Sequence, residues 1–204
     1  MIVIGITGGV ATGKTTVAKM FERLGAKRVD ADAIVHRLQR PGTPVFQRIV
    51  RRFGRSVLRE GGTLCRQALG GIVFRDRRAL RDLCRIVHPP VIAEIRRTLR
   101  RLRRRRPGSI VVVEVPLLFE SGLASSMDHL VVVSAPVAVA FRRARKRSGL
   151  SRTAFERRWR AQMPLRRKAA QADWVINNGG TLAGARRQVE ALWLRLKAKN
   201  SGSI

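Results

Sequence analysis

Short apolar runs rich in β-branched residues recur at Ile2–Ile6, Ile110–Val115, Leu130–Ser134 and Trp174–Ile176, with a weaker run at Lys27–Val29. Runs of this kind, bounded by turn-forming residues, predict strands. Between them the apolar positions switch to helical spacing: Val17, Met20, Phe21 and Leu24 after the first run, and Ile92, Ile95, Leu99 and Leu102 ahead of Ile110. A last helical pattern, through Leu182, Val189, Leu192 and Leu196, is expected to pack back on the strands. Strands alternating with helices predict an α/β fold, a parallel sheet of about five strands with helices on both faces, three layers in all.

Two intervals lack strand patterns. From about Pro41 to Pro107 there are only helical patterns, punctuated by Pro41-Gly42, Gly61-Gly62, Gly70-Gly71 and Pro89-Pro90, which predicts a helical insertion beside the sheet. From Ala140 to Arg167 the chain is densely basic and has Ser148-Gly149 as a helix stop, the pattern of a mobile lid. No internal repeat interrupts this plan, so residues 1–204 are read as one domain made of core, insertion and lid. The single low-complexity patch is Arg96–Arg106, eight Arg in eleven positions, most of them expected on the solvent face of the helix through Ile92, Ile95, Leu99 and Leu102.

Composition refines the picture. A hydrophobic content of 45% over 204 residues is enough for a sizeable core. The formal net charge is +30, and Arg supplies 36 of the 43 basic residues. Such a field attracts nucleic acid and anionic membranes, but equally ATP and other phosphorylated metabolites. The Arg bias could also reflect genomic base composition alone. Aromatics make up only 5%, without a Tyr and without interleaved aromatic and basic residues, which argues against a reader of single strands. Salt-sensitive, nonspecific nucleic-acid binding is expected; a specific nucleic-acid role is not. Cys65 and Cys84 are too few and too far apart for a disulfide framework or a zinc site. The apolar run at the N-terminus meets Gly8-Gly9 at once, and no stretch approaches the roughly 20 apolar residues of a membrane span. A soluble, cytoplasmic protein without membrane association is expected.

Candidate chemistry begins at Gly8-Gly9-Val10-Ala11-Thr12-Gly13-Lys14-Thr15, which fits G-x-x-x-x-G-K-[ST] between a predicted strand and a predicted helix. The glycines let backbone N–H groups close around phosphate oxygens, and the helix N-terminus favours the same anion. Lys14 is expected on the β- and γ-phosphates and the Thr15 hydroxyl on Mg²⁺. Transfer to an acceptor hydroxyl also needs a base, and Asp30-Ala31-Asp32 follows the second strand, whose carboxyl end faces the ligand crevice in open parallel sheets. Period-two alternation predicts that both carboxylates point the same way, with one of them free to cap a helix beginning near Ala33. Glu114 stands where a carboxylate could hold a magnesium-bound water or be an ordinary strand-end acid. Arg142, Arg143, Arg145 and Arg147 in the lid are all candidates for stabilising the transferring phosphoryl group. His36, His88 and His129 have no metal-like spacing.

In order along the chain, Gly-Gly-x-x-x-Gly-Lys-Thr, Asp30-Ala31-Asp32, Arg40-Pro41-Gly42, Phe53-Gly54, Arg66, His88-Pro89, Pro116-Leu117-Leu118-Phe119-Glu120, Gln162, and Ala172-Asp173 with Asn178-Gly179 resemble dephospho-CoA kinases, over residues 2 to about 190. The resemblance implies a P-loop kinase fold and ATP- and Mg²⁺-dependent phosphorylation of the 3′-hydroxyl of dephospho-CoA, the last step of coenzyme A synthesis. It implies Lys14, Asp32 and Arg143 as catalytic residues, with Asp32 the base. It assigns ATP to Gly8, Gly9, Val10, Ala11, Thr12, Gly13, Lys14, Thr15 and Thr16, with Arg147 and, near the adenine, Asn178. It places the acceptor against Thr7, Asp32, Arg66, His88 and Leu117. Two features depart from the family: Gly61-Gly62 replaces its usual Asp-Gly, and the Arg96–Arg106 run is outside its pattern. Shikimate kinase shares the P-loop and Asp-x-Asp, but it lacks so long an insertion and has an Arg-Gly-Gly-Gly stretch that is missing here.

Overall fold

The β-branched runs form β1 (Ile2–Gly8), β2 (Lys27–Asp30), β3 (Ile110–Glu114), β4 (His129–Ser134) and β5 (Trp174–Asn177) of the computed structural model, which describes residues 1–201. All pairings are parallel and the strand order is β2-β3-β1-β4-β5. β1 is therefore central, with β3 and β4 on either side of it, and the connections reverse direction there. That reversal opens a ligand crevice at the carboxyl ends of the strands. Every residue of β3 is buried, as expected of a strand covered on both faces.

Helices α1 (Lys14–Arg23) and α9 (Leu182–Ser201) cover one face. Val17 and Phe21 of α1 pack with Val189, Leu192 and Leu196 of α9 onto Ile4, Ile6, Val112, Val131 and Ile176. Leu182, predicted as part of this stripe, is 62% exposed because it stands at the very start of α9. The basic interval contains α6 (Val137–Ser148), α7 (Arg152–Arg160) and α8 (Leu165–Ala170). Gly149 ends α6 in the left-handed conformation, φ 62°, as the Ser148-Gly149 signal predicts.

The remaining α-helices are α2 (Ala31–Leu38), α3 (Pro44–Phe53), α4 (Arg66–Val73) and α5 (Arg77–Arg105). The chain separates into two compact units, one made of Met1–Asp30 with the chain from Leu99 onward, the other of Ala31–Thr98. The second is helical. It buries Val45 and Ile49 of α3, Leu69 and Val73 of α4, and Val87 and Val91 of α5, and Arg52 of α3 pairs with Asp82 of α5 at 2.6 Å.

The Pro89-Pro90 pair does not break α5, contrary to the expectation from sequence. A proline in a helix interior costs about 3 kcal/mol through its lost N–H and ring clash. Val87, Val91, Ile95 and Leu99 repeat every four residues and are all buried, so packing before and after the prolines holds the helix together. This stripe supersedes the predicted one, of which Ile92 and Leu102 are only partly buried. Gly70-Gly71 likewise lies inside α4. No helix among the described residues is long and apolar enough to cross a membrane.

Candidate active site

The P-loop leaves the carboxyl end of central β1 and opens α1 at Lys14. Gly13 sits at φ 97°, and a Cβ there would lie 2.0 Å from Asn178 Nδ2. Only glycine fits, for conformation and for space. Asn178 is buried and donates from that same Nδ2 to the Thr12 carbonyl at 2.8 Å, bracing the loop from the end of β5. Lys14 Nζ donates to the Gly9 carbonyl at 2.7 Å, so the ammonium folds back over the loop it serves. Ala11, at φ 55°, is the one non-glycine residue with positive φ among those described.

Below the loop, Thr15 Oγ1 donates to Glu114 Oε1 at 2.5 Å. Glu114 is 5% exposed, and its Oε2 accepts from Arg28 Nη1 at 2.8 Å. Arg28 also pairs with Asp30 at 3.3 Å. Glu114 is thus joined both to the Thr15 hydroxyl and to the Arg28 guanidinium. Arg28 carried no signal in a sequence with so many arginines.

The basic interval packs on the P-loop through an apolar cluster. Ala140, Ala144 and Phe155 pack with Phe141, Leu150 and Trp159 and with Val10 and Ala11 of the loop. The Trp159 ring lies so close to Gly9 that a Cβ there would meet it at 2.9 Å. The four candidate arginines of this interval differ: Arg142, Arg145 and Arg147 are exposed, whereas Arg143 is partly buried, with Nη1 3.8 Å from the Cβ position of Gly13. Arg143 Nη1 is buried without a hydrogen-bond partner. A buried guanidinium nitrogen left unsatisfied beside an anion-binding loop fits a phosphate acceptor. Thr16 is exposed on the first turn of α1. Thr7 is fully buried at the end of β1 and donates to the Pro116 carbonyl at 3.0 Å, next to half-buried Leu117.

Within the helical unit, Asp32 is exposed on the first turn of α2. The predicted strand-like alternation of Asp30 and Asp32 does not hold, because the helix begins at Ala31 and rotates Asp32 away from a period-two register. Asp30 closes β2 in its ion pair with Arg28. Arg66 opens α4 and contacts His36 Nε2 on α2. Burial pulls the Arg66 pKa below the ordinary arginine value, and the Asp32 charge works against that shift, so carboxylate and guanidinium are in electrostatic reach. Asp32, His36 and Arg66 form one polar group, although the sequence offered no role for His36. His88 is half-buried on α5. The turn at Gly61-Gly62 survives without the family aspartate: Gly62 adopts φ 70° and the Arg59 N–H reaches the Thr63 carbonyl at 2.8 Å.

Residues 2–184 match the family model described as dephospho-CoA kinase. A dephospho-CoA kinase of Symbiobacterium thermophilum is 51% identical, covering 95% of this chain and 80% of that protein. Among solved structures, one from Thermus thermophilus superposes with a TM-score of 0.76 at 37% identity, over 96% of this chain and 97% of that one. A dephospho-CoA kinase from Campylobacter jejuni does so with a TM-score of 0.69 at 27% identity, over 97% and 98% of the two chains.

Proposed function

The chain belongs to the dephospho-CoA kinase family, and from that premise we infer which of its residues carry the transfer of the ATP γ-phosphoryl group to dephospho-CoA. The reaction gives coenzyme A and ADP, the final step of coenzyme A synthesis. The P-loop from Gly8 to Thr16 binds the ATP phosphates, with the Lys14 ammonium on the β- and γ-phosphates. Asp32 accepts the proton of the 3′-hydroxyl as that oxygen attacks the γ-phosphorus and the bond to ADP breaks. Arg143 stabilises the charge spread over the transferring group. Arg147 and Asn178 complete the ATP side, and Thr7, Arg66, His88 and Leu117 the acceptor side. The insertion, about 41–107, carries Arg66 and His88 on helices, and the lid, about 140–167, carries the arginines. A single cytoplasmic domain without a specific nucleic-acid partner suffices for this role.

Thr15 and Glu114 fit Mg²⁺, since a hydroxyl and a buried carboxylate are hard oxygen donors. When bound, the ion neutralises phosphate charge.

The observation that supports this reading best is the buried, unpartnered Arg143 Nη1 beside the P-loop. A coupled ADP-release assay tests it with dephospho-CoA and shikimate as alternative acceptors. ADP and coenzyme A are expected in step with the first acceptor only. Turnover of shikimate, or none of dephospho-CoA by folded protein with saturating ATP and Mg²⁺, would overturn it.

A further inference from the structure

Lys168 on α8 is fully buried, yet no part of the transfer described above uses it. Its Nζ donates to Glu120 Oε1 at 2.8 Å and to the Pro116 carbonyl at 3.1 Å. Each acceptor is shared. The Pro116 carbonyl also accepts from Thr7 Oγ1 at 3.0 Å, and Glu120 Oε1 also accepts from the Met163 N–H at 2.8 Å. One buried ammonium thus sits at the centre of a chain of bonds running from the end of β1, through the loop after β3, to the segment that follows α7.

An ion pair with one buried member is weak as a source of stability, because apolar residues of similar volume often serve as well as a buried charge. Its value lies in direction, since a charge-assisted bond fixes its partners where apolar packing would let them slide. Here the fixed partners flank Leu117 and include Thr7. We propose that Lys168 is a positioning residue for the acceptor: it clamps the Pro116–Glu120 loop against β1 and against the base of the lid, holding the surface on which dephospho-CoA rests. This inference relies on the reading that Thr7 and Leu117 face dephospho-CoA. The P-loop side of the lid is anchored separately, by Phe155 and Trp159 on Val10 and Ala11. Loss of Lys168 therefore loosens the acceptor loop and spares the ATP cradle.

Steady-state kinetics and thermal midpoints of Glu120→Gln and of the double variant Lys168→Met/Glu120→Gln test the proposal. The double variant leaves no buried charge unpaired, so it remains informative if Lys168→Met alone does not fold. The KM for dephospho-CoA is expected to rise roughly tenfold in both, the scale of one charge-assisted hydrogen bond, with the KM for ATP within about twofold of wild type. A lowered midpoint with both KM values unchanged would reduce the network to a structural pair and overturn the proposal. An equal rise in both KM values would overturn it too, by tying Lys168 to the P-loop. If the wild-type protein does not turn over dephospho-CoA, the functional reading itself fails and this inference with it.

Discussion

Around the P-loop each polar group is held by a hydrogen-bond partner, most of them buried: Lys14 by the Gly9 carbonyl, Thr15 by Glu114, Glu114 by Arg28, and Thr12 by Asn178. In the helical unit, by contrast, Asp32, His36 and Arg66 stand on exposed faces of α2 and α4 and depend for their position on helices whose cores lie elsewhere. The first region is organised by backbone geometry that a contiguous motif specifies. The second is organised by helix packing, so its chemistry comes from residues that are distant in sequence and replaceable without disturbing a core. Substitutions on the P-loop side should therefore disturb binding and architecture together, whereas substitutions in the helical unit should separate chemistry from stability.

The sharpest way to break this comparison is Asp32→Asn, for which the largest effect is expected. Asn keeps the shape and removes the basic oxygen, so turnover should fall by about 10²- to 10⁴-fold, the usual contribution of a positioned general base. The thermal midpoint and ATP affinity should stay near wild type, because the side chain is exposed. Single-turnover rates with calorimetric midpoints check both. Near-normal turnover would reduce Asp32 to a helix-end carboxylate, for which Asn is an equal substitute. Asp30→Asn is the control: its partner is Arg28, so it should show the smaller rate loss. The reverse order would mean that the wrong carboxylate had been assigned.

Lys14→Ala probes the other side. Removing a charge-assisted donor from the transferring group should lower turnover by about 10²- to 10³-fold. Here the effect should not be separable, and the thermal stabilisation produced by ATP should shrink in the same variant. Unchanged stabilisation with lost turnover would show that Lys14 acts only in the transition state, and the contrast between the two regions would weaken.

The same contrast explains what could be read from the sequence. All five strands appear at their predicted places, as do the P-loop and the Gly149 stop, because each is encoded by neighbours in sequence: β-branched runs, a fixed glycine spacing, one left-handed cap. The unbroken α5 was not legible, since the local penalty of Pro89-Pro90 is outweighed only by the burial of Val87, Val91, Ile95 and Leu99. Nor was Asp32 legible as a helical residue, because one residue decides whether the strand register continues past Asp30. Lys168 was hidden for another reason. It follows Arg166 and Arg167 in a chain full of basic residues, and only its complete burial distinguishes it from them. Arg28 was obscured likewise, because its partner Glu114 is far away in sequence, whereas Arg143 stood out from its neighbours only through the family resemblance.

The smallest kinetic effect is expected where the sequence is most extreme. All eight arginines from Arg96 to Arg106 are exposed along the last turns of α5 and just past its end, and Arg97 pairs with Glu94 of its own helix at 2.7 Å. None of the eight is among the residues assigned to ATP or to the acceptor. Charge of this kind binds polyanions by releasing counterions, so any DNA or RNA association should weaken steeply between low and physiological salt and show no sequence preference. Replacing Arg100, Arg101, Arg103 and Arg104 together by Gln should flatten the salt dependence by up to about four counterions, roughly one for each lost phosphate contact. Turnover of ATP and dephospho-CoA should remain within about twofold of wild type, because the four exposed side chains have no assigned part in the transfer and exposed charges are screened at physiological salt. Fluorescence anisotropy of a labelled oligonucleotide at several salt concentrations, run beside the kinase assay, checks both halves. A parallel loss of kinase activity would bring the end of α5 into the catalytic machinery. Sequence-selective binding that persists at physiological salt would instead mean that the arginines read a specific nucleic acid, a function the counterion account excludes.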